Sequence, residues 1–219
     1  MCDKNETNKF IEYYESLGYI VIPVDLINGN DKNKIIDMSN ELMNEINNKR
    51  TEKGLKPRSI RALVIGVPNV GKSTLINKLV GKNVAGVANK PGYTKQLSWI
   101  RINKNIELLD SPGILWPKLE NQENAQILAS LSSIKEEILN KEGLTCFILE
   151  KMLKLYPKSL EERYGLTELD ETFEEAFLTI AQKRGALSKG GIPDYEKVSN
   201  IVINDLKNGL LGNITLDRM

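Results

Sequence analysis

Apolar residues recur along this chain in two rhythms, and the change from one to the other predicts its plan. Thr7–Leu17 sets Phe10, Ile11, Tyr14 and Leu17 on one face at helical spacing, with Gly18 as the stop. Tyr19–Val24 is a short apolar run that reads as a strand, and Asn28-Gly29-Asn30-Asp31 reads as a turn. Ile35–Ile46 returns to helical spacing through Ile35, Met38, Leu42, Met43 and Ile46. Arg61–Ile65 is a continuous apolar strand of the kind expected where both faces are buried. Leu75–Val80 begins a helix, and Gln96–Ile102 with Ile106–Asp110 forms a hairpin about Asn103-Lys104-Asn105. Beyond about Asn121 the pattern is helical throughout. Leu144–Tyr156 ends before Pro157; Phe173, Phe177 and Ile180 make one stripe closed by Gly185, and Val198, Ile201, Val202 and Leu206 another. Ser159-x-x-Glu162 and Thr172-x-x-Glu175 have the form of capping boxes. The stripes read first as core-packing faces. The predicted architecture is an α/β domain over residues 1–120, followed by a small all-α domain over residues 121–219.

Composition narrows the chemistry more than the fold. The net charge is +1, so no whole-protein field draws the chain to nucleic acid, and DNA is not an expected partner. RNA contact would need a local patch. Lys49, Arg50, Lys53, Lys56, Arg58 and Arg61 against the single acid Glu52 supply one, which reads equally as a solvated linker. Lys183, Arg184 and Lys189 beside Gly190-Gly191 supply another, with helix-capping cations as the competing explanation. Cys2 and Cys146 lie far apart without metal-type spacing, which suits a reducing cytoplasm. No apolar stretch has membrane-span length. Histidine is absent, so any acid–base or metal chemistry rests on other groups.

Gly66-Val67-Pro68-Asn69-Val70-Gly71-Lys72-Ser73 follows a predicted strand and opens a predicted helix, the context a phosphate-binding loop needs. The glycines let backbone N–H groups curl around phosphate oxygens, and the helix N-terminus adds partial positive charge. Lys72 reaches the terminal phosphates, and the Ser73 hydroxyl can ligate Mg²⁺. Thr94, in Pro91-Gly92-Tyr93-Thr94, can complete the Mg²⁺ shell and sense a γ-phosphate. Asp110, in Asp110-Ser111-Pro112-Gly113, can hold Mg²⁺ through water, and the Gly113 N–H can bond the γ-phosphate. Each of the last two motifs is weak alone; their order and spacing after the loop carry the reading. A guanine-reading Asn-Lys-x-Asp is missing from its usual downstream place, where Asn140-Lys141-Glu142-Gly143 ends in glycine. Met1-Cys2-Asp3 reads as its last three positions, with Val24–Asn30 as the next base-contacting loop. That order places the base-reading half ahead of the phosphate loop.

With these residues assembled, the chain resembles the circularly permuted GTPases, most closely the ribosome biogenesis GTPase A (RbgA/YlqF) family. KPRSIRALVIGVPNVGKSTLINKL, PGYTKQ and ELLDSPGILWPK carry the resemblance, and YPKSLEERYGL and KRGALSKGG continue it toward the C-terminus. It implies a P-loop GTPase domain, permuted and with a mostly parallel sheet, and a helical C-terminal domain that contacts ribosomal RNA. It also implies action late in assembly of the large ribosomal subunit, with GTP and GDP as ligands. Carried over residue by residue, Asn69, Val70, Gly71, Lys72, Ser73, Thr74 and Gly113 would bind phosphates. Ser73 and Thr94 would hold Mg²⁺, and Asp3 would bond the guanine edge. The family implies a segment ahead of the base-reading motif, with a further strand and a histidine proposed as catalytic. This chain lacks both, so it is expected to be N-terminally incomplete, with an open strand slot and an exposed sheet edge. Leu26 is the nearest match in the second base-contacting loop, a weak one.

Where Ras-like enzymes place a water-orienting glutamine, this chain has Ile114, followed by Leu115 and Trp116. The resemblance implies another source of charge stabilisation, a K⁺ ion associated with Asn69. The leading expectation is therefore an Mg²⁺-dependent, K⁺-stimulated GTPase. The alternatives are a nucleotide- and RNA-binding fragment without hydrolysis of its own, and a P-loop ATPase. Against the ATPase, no acidic residue follows Asp110 as a water-activating base.

Overall fold

A computed structural model describes residues 2–26, 31–82, 98–115, 121–131, 133 and 140–219. It divides into two compact units, Ile20–Pro117 and Met1–Tyr19 with Lys118–Met219.

In the first unit, β1 (Ile60–Val64), β2 (Ser98–Arg101) and β3 (Ile106–Asp110) form a sheet in the order β1-β3-β2. β1 runs parallel to β3, with Val64 opposite Asp110, and β2 runs antiparallel to β3 as the predicted hairpin. Two helices of this unit are α2 (Lys32–Glu52) and α3 (Lys72–Val80). Ile76 and Leu79 of α3 pack with Ile106 and Leu108, joined by Ile35 and Ile36 of α2 and by Ile60, Ala62 and Val64. Both α2 and α3 therefore reach a shared core on one face of the sheet. The opposite face keeps Leu63 at 56% and Trp99 at 55% exposure, and Ile65 beyond β1 is 66% exposed. The expectation of a strand buried on both faces is corrected: β1 alternates because α2 and α3 pack on only one side of it. α2 also runs past its apolar stripe to Glu52, because Lys and Arg are good helix formers even where nothing is buried.

The run Tyr19–Val24 is not a strand among the described residues. Its apolar content suits a strand, but a strand also needs a neighbouring edge to take its backbone hydrogen bonds.

The second unit is helical: α1 (Lys4–Ser16), α4 (Gln122–Ser130), α5 (Lys141–Leu155), α6 (Pro157–Tyr164), α7 (Glu174–Arg184) and α8 (Tyr195–Lys207). Ile148, Leu149 and Met152 of α5 are fully buried, as are Leu160 and Tyr164 of α6, Ile180 of α7, and Val198 and Val202 of α8. Adjacent buried positions on α5 mean that it is enclosed on more than one side. The C-terminal stripes predicted from sequence form this core.

The first nineteen residues group with this unit. Asp3 caps α1, its Oδ1 accepting from the Asn5 and Glu6 N–H groups, while its own N–H donates to Thr215 Oγ1 and Tyr156 Oη donates to its Oδ2. Two expectations about helix caps are corrected. Ser159 is not an N-cap, because Pro157 starts α6 at its first turn and Tyr156 takes the cap position. Thr172 is not one either: Asp170 Oδ2 accepts from the Glu174 N–H at 3.0 Å and from the Thr172 hydroxyl, and Phe173 stands at the cap with φ +60°. The nearby carboxylate is the stronger acceptor.

Candidate functional site

β1 ends at Val64 and the chain turns into the loop Gly66–Gly71 before α3 begins at Lys72. Asn69 has φ +59° and Gly71 φ +95°, both left-handed. Asparagine and glycine are the residues that tolerate this conformation at least cost, and such reversals turn successive N–H groups to the inside of a loop. The Lys72 ammonium folds back over the loop, donating to the carbonyls of Gly66 at 3.0 Å and Val67 at 2.7 Å. Burial pulls the lysine pKa down, and the Asp110 carboxylate opposes that pull.

The end of β3 is stitched to this loop. Ser111 Oγ donates to the Val64 carbonyl at 2.5 Å, and the Ile114 N–H donates to the Gly66 carbonyl at 3.1 Å. Gly113 lies so close to Pro68 that a Cβ built on it would stand 2.6 Å from the Pro68 Cα. Only glycine fits, so the Asp110–Gly113 turn and the phosphate loop hold one arrangement. Gly113→Ala is expected to weaken GDP binding by about tenfold, since overpacking against a backbone costs roughly 1–3 kcal/mol. Titration with a fluorescent GDP analogue checks this, and unchanged affinity would show that the close approach is dispensable.

Asp110 is 2% exposed, and its Oδ1 has no hydrogen-bond partner among the described residues. Burial raises its pKa, only partly offset by Lys72 and by the Ser111 N–H. A buried carboxylate with an unsatisfied oxygen beside a helix N-terminus suits a divalent cation, which would satisfy the oxygen and hold the group ionised. Ser73 and Thr74 stand in the first turn of α3. Leu26 Cδ1 lies 3.3 Å from where a Gly71 Cβ would be, at the N-terminal end of α3. Val70 and Ile114 remain 54% and 59% exposed.

The structure therefore brings together Asn69, Val70, Gly71, Lys72, Ser73, Thr74, Asp110 and Gly113. Thr94 with its Pro91–Thr94 motif, and Trp116, lie outside the described residues. Asp3 belongs to the helical unit and is held there by the contacts above. Of the basic candidates, Arg184 approaches the buried Asp205 at 3.9 Å, Arg61 pairs with Glu107 at 3.1 Å, and Arg50 donates to the Lys56 carbonyl. These three have structural partners in the fold.

The family model described as 50S ribosome-binding GTPase matches residues 61–184. Ribosome biogenesis GTPase A of Bacillus cereus is 42% identical over 217 residues, covering 99% of this chain and 73% of that protein. The chain belongs to the ribosome biogenesis GTPase A family. The Bacillus pumilus member is 39% identical, with 99% of this chain and 77% of that protein covered. The Thermotoga maritima member is 28% identical, with 100% and 72% covered. Among solved structures, GDP-bound TM YlqF superposes with a TM-score of 0.65 at 25% identity, covering 99% of this chain and 78% of that one. GNP-bound YlqF from T. maritima gives 0.64 at 26%, covering 99% and 77%. Membership in this family makes the site a guanine-nucleotide site, the domain a circularly permuted P-loop GTPase, and the protein a GTPase of ribosome assembly. The ATPase alternative is thereby set aside.

Proposed function

We propose that this protein is an Mg²⁺-dependent, K⁺-stimulated GTPase that acts on a precursor of the large ribosomal subunit in the cytoplasm. The buried Asp110 carboxylate, with an unsatisfied Oδ1 beside the phosphate loop and Lys72, is the observation that carries it. Ser73 and Asp110, with Thr94 as the sequence's further candidate, would hold Mg²⁺, which would supply positive charge to the bound phosphates. Lys72 and the loop N–H groups from Asn69 to Thr74 bind phosphate oxygens, and the Gly113 N–H bonds the γ-phosphate. The exposed, apolar Ile114 cannot orient water, so stabilisation of the developing charge falls to other groups. Asn69, with its left-handed backbone in the loop, is the residue that would accompany a K⁺ ion. Asp3 is proposed to read the guanine edge, which requires its carboxylate to leave the α1 cap and Tyr156.

The family description as a 50S ribosome-binding GTPase supports the large subunit as the particle, and ribosomal RNA is the contact we propose for the helical unit. Lys183 and Lys189 are the contacts proposed there. Lys49, Lys53, Lys56 and Arg58 are proposed on the α/β side.

The test is GTP turnover in matched K⁺ and Na⁺ buffers, with and without large-subunit precursor particles. Slow turnover is expected alone, faster in K⁺ and faster again with particles. Equal rates in the two salts would remove the K⁺ role, and indifference to the particles would remove the proposed partner.

A further inference from the structure

The parallel ladder of β1 and β3 closes on the pair Val64 and Asp110. Beyond it one strand opens into the phosphate loop and the other into the Asp110–Gly113 turn. The Asp110 carboxylate thus hangs from the last paired residue of β3, where the ladder stops holding the backbone. Its Oδ1 has no hydrogen-bond partner among the described residues. Its aim therefore depends on the backbone that carries it, and a metal ligand has to be held within about 0.5 Å of its working place.

The next residue supplies that hold. Ser111 is 4% exposed, although serine is mostly a surface residue. Its hydroxyl donates to the carbonyl of Val64, the last residue of β1, two positions ahead of Gly66. Its N–H favours the ionised form of the Asp110 carboxylate. One buried side chain thereby ties the backbone beside Asp110 to the root of the phosphate loop. Two further ties follow, the Ile114 N–H to the Gly66 carbonyl and the close approach of Gly113 to Pro68. Both rest on backbone atoms, so of the three only the Ser111 tie is made by a side-chain group. The Gly66 carbonyl also accepts from the Lys72 ammonium, so the tied segment and the lysine share an anchor.

We infer that Ser111 is a positioning residue: through the Val64 carbonyl its hydroxyl fixes the place of the Asp110 carboxylate, and so the affinity of the site for Mg²⁺. The inference rests on the reading of Asp110 as a metal ligand. Alanine would take this donor from the Val64 carbonyl and loosen the backbone beside Asp110. It would leave Lys72 and the loop N–H groups, which meet the phosphates, as they are. Threonine keeps the hydroxyl.

The experiment measures fluorescent GDP binding by the full chain, in EDTA and across a Mg²⁺ titration, for the parent, Ser111→Ala and Ser111→Thr. In Ser111→Ala the Mg²⁺ concentration at half-saturation is expected to rise about tenfold, the low end of what lost support behind a metal ligand costs. Binding in EDTA is expected to stay at the parent's level. Ser111→Thr is expected to restore the parent's Mg²⁺ requirement. An alanine variant with that same requirement would overturn the inference while leaving Asp110 as a metal ligand. So would an alanine variant that loses GDP binding equally with and without Mg²⁺, the mark of a merely structural hydroxyl, or a threonine variant as impaired as alanine. A parent whose GDP binding is indifferent to Mg²⁺ would instead overturn the reading of Asp110, and the inference with it.

Discussion

Lys72→Ala is expected to lower GTP turnover by about 10²–10³-fold, the usual cost of removing one preorganised donor from a developing charge. The ammonium is held across the loop by the Gly66 and Val67 carbonyls, so it is positioned before a phosphate arrives and needs little rearrangement to meet one. Its partial burial depresses its pKa, while Asp110 favours the charged form. Phosphate release in a single turnover reads the effect, with thermal unfolding as the control for folding. Turnover within a few-fold of the parent would show that charge stabilisation comes from elsewhere in the loop.

Asp205→Ala is expected to destabilise the helical unit by about 3–5 kcal/mol, the cost of stripping one partner from a buried ion pair. Asp205 is 4% exposed. It accepts two hydrogen bonds from Arg163, each 2.8 Å, and a third from the Tyr164 hydroxyl at 2.8 Å, with Arg184 at 3.9 Å. Alanine would leave the guanidinium and the phenol facing a void. Burial raises the tyrosine pKa, and the Asp205 charge adds to the rise, so the hydroxyl stays a donor at all ordinary pH. On Asp205 itself burial pushes the pKa up, but Arg163 and Tyr164 outweigh it and the net shift is downward. A folded pKa below the unfolded one means that this stability is complete above the ordinary carboxylate range. It drains away as pH falls through that range toward the lowered value. Urea unfolding followed by helical circular dichroism, repeated on the acid side, checks both statements. A variant as stable as the parent, or one equally acid-sensitive, would contradict them.

Asp205 also shows how much the sequence conceals. It stands seven positions after Val198 on the buried stripe of α8, a charged residue where the helical period calls for an apolar one. That misfit was the available signal, but its partners Arg163 and Tyr164 lie about forty residues away in sequence, on α6. The phosphate loop, α3 and the hairpin were legible because each is specified locally, by glycines at fixed offsets and by a switch of period at Lys72 and at Asn103–Asn105. Tyr19–Val24 misled because a strand is a relation between two segments. The grouping of α1 with the helical unit was hidden for the same reason: it rests on Asp3, Tyr156 and Thr215 meeting across most of the chain. The close approach of Gly113 to Pro68 could not be read from either motif alone, since it depends on the parallel register of β1 and β3.

The most direct test of the guanine-nucleotide site is binding of fluorescent GDP and ADP to this chain in Mg²⁺, set against Lys72→Ala and Asp3→Asn. GDP is expected to bind in clear preference to ADP, with Lys72→Ala losing affinity for both and Asp3→Asn losing the preference. Equal binding of the two nucleotides by the parent chain, or none, would contradict the account.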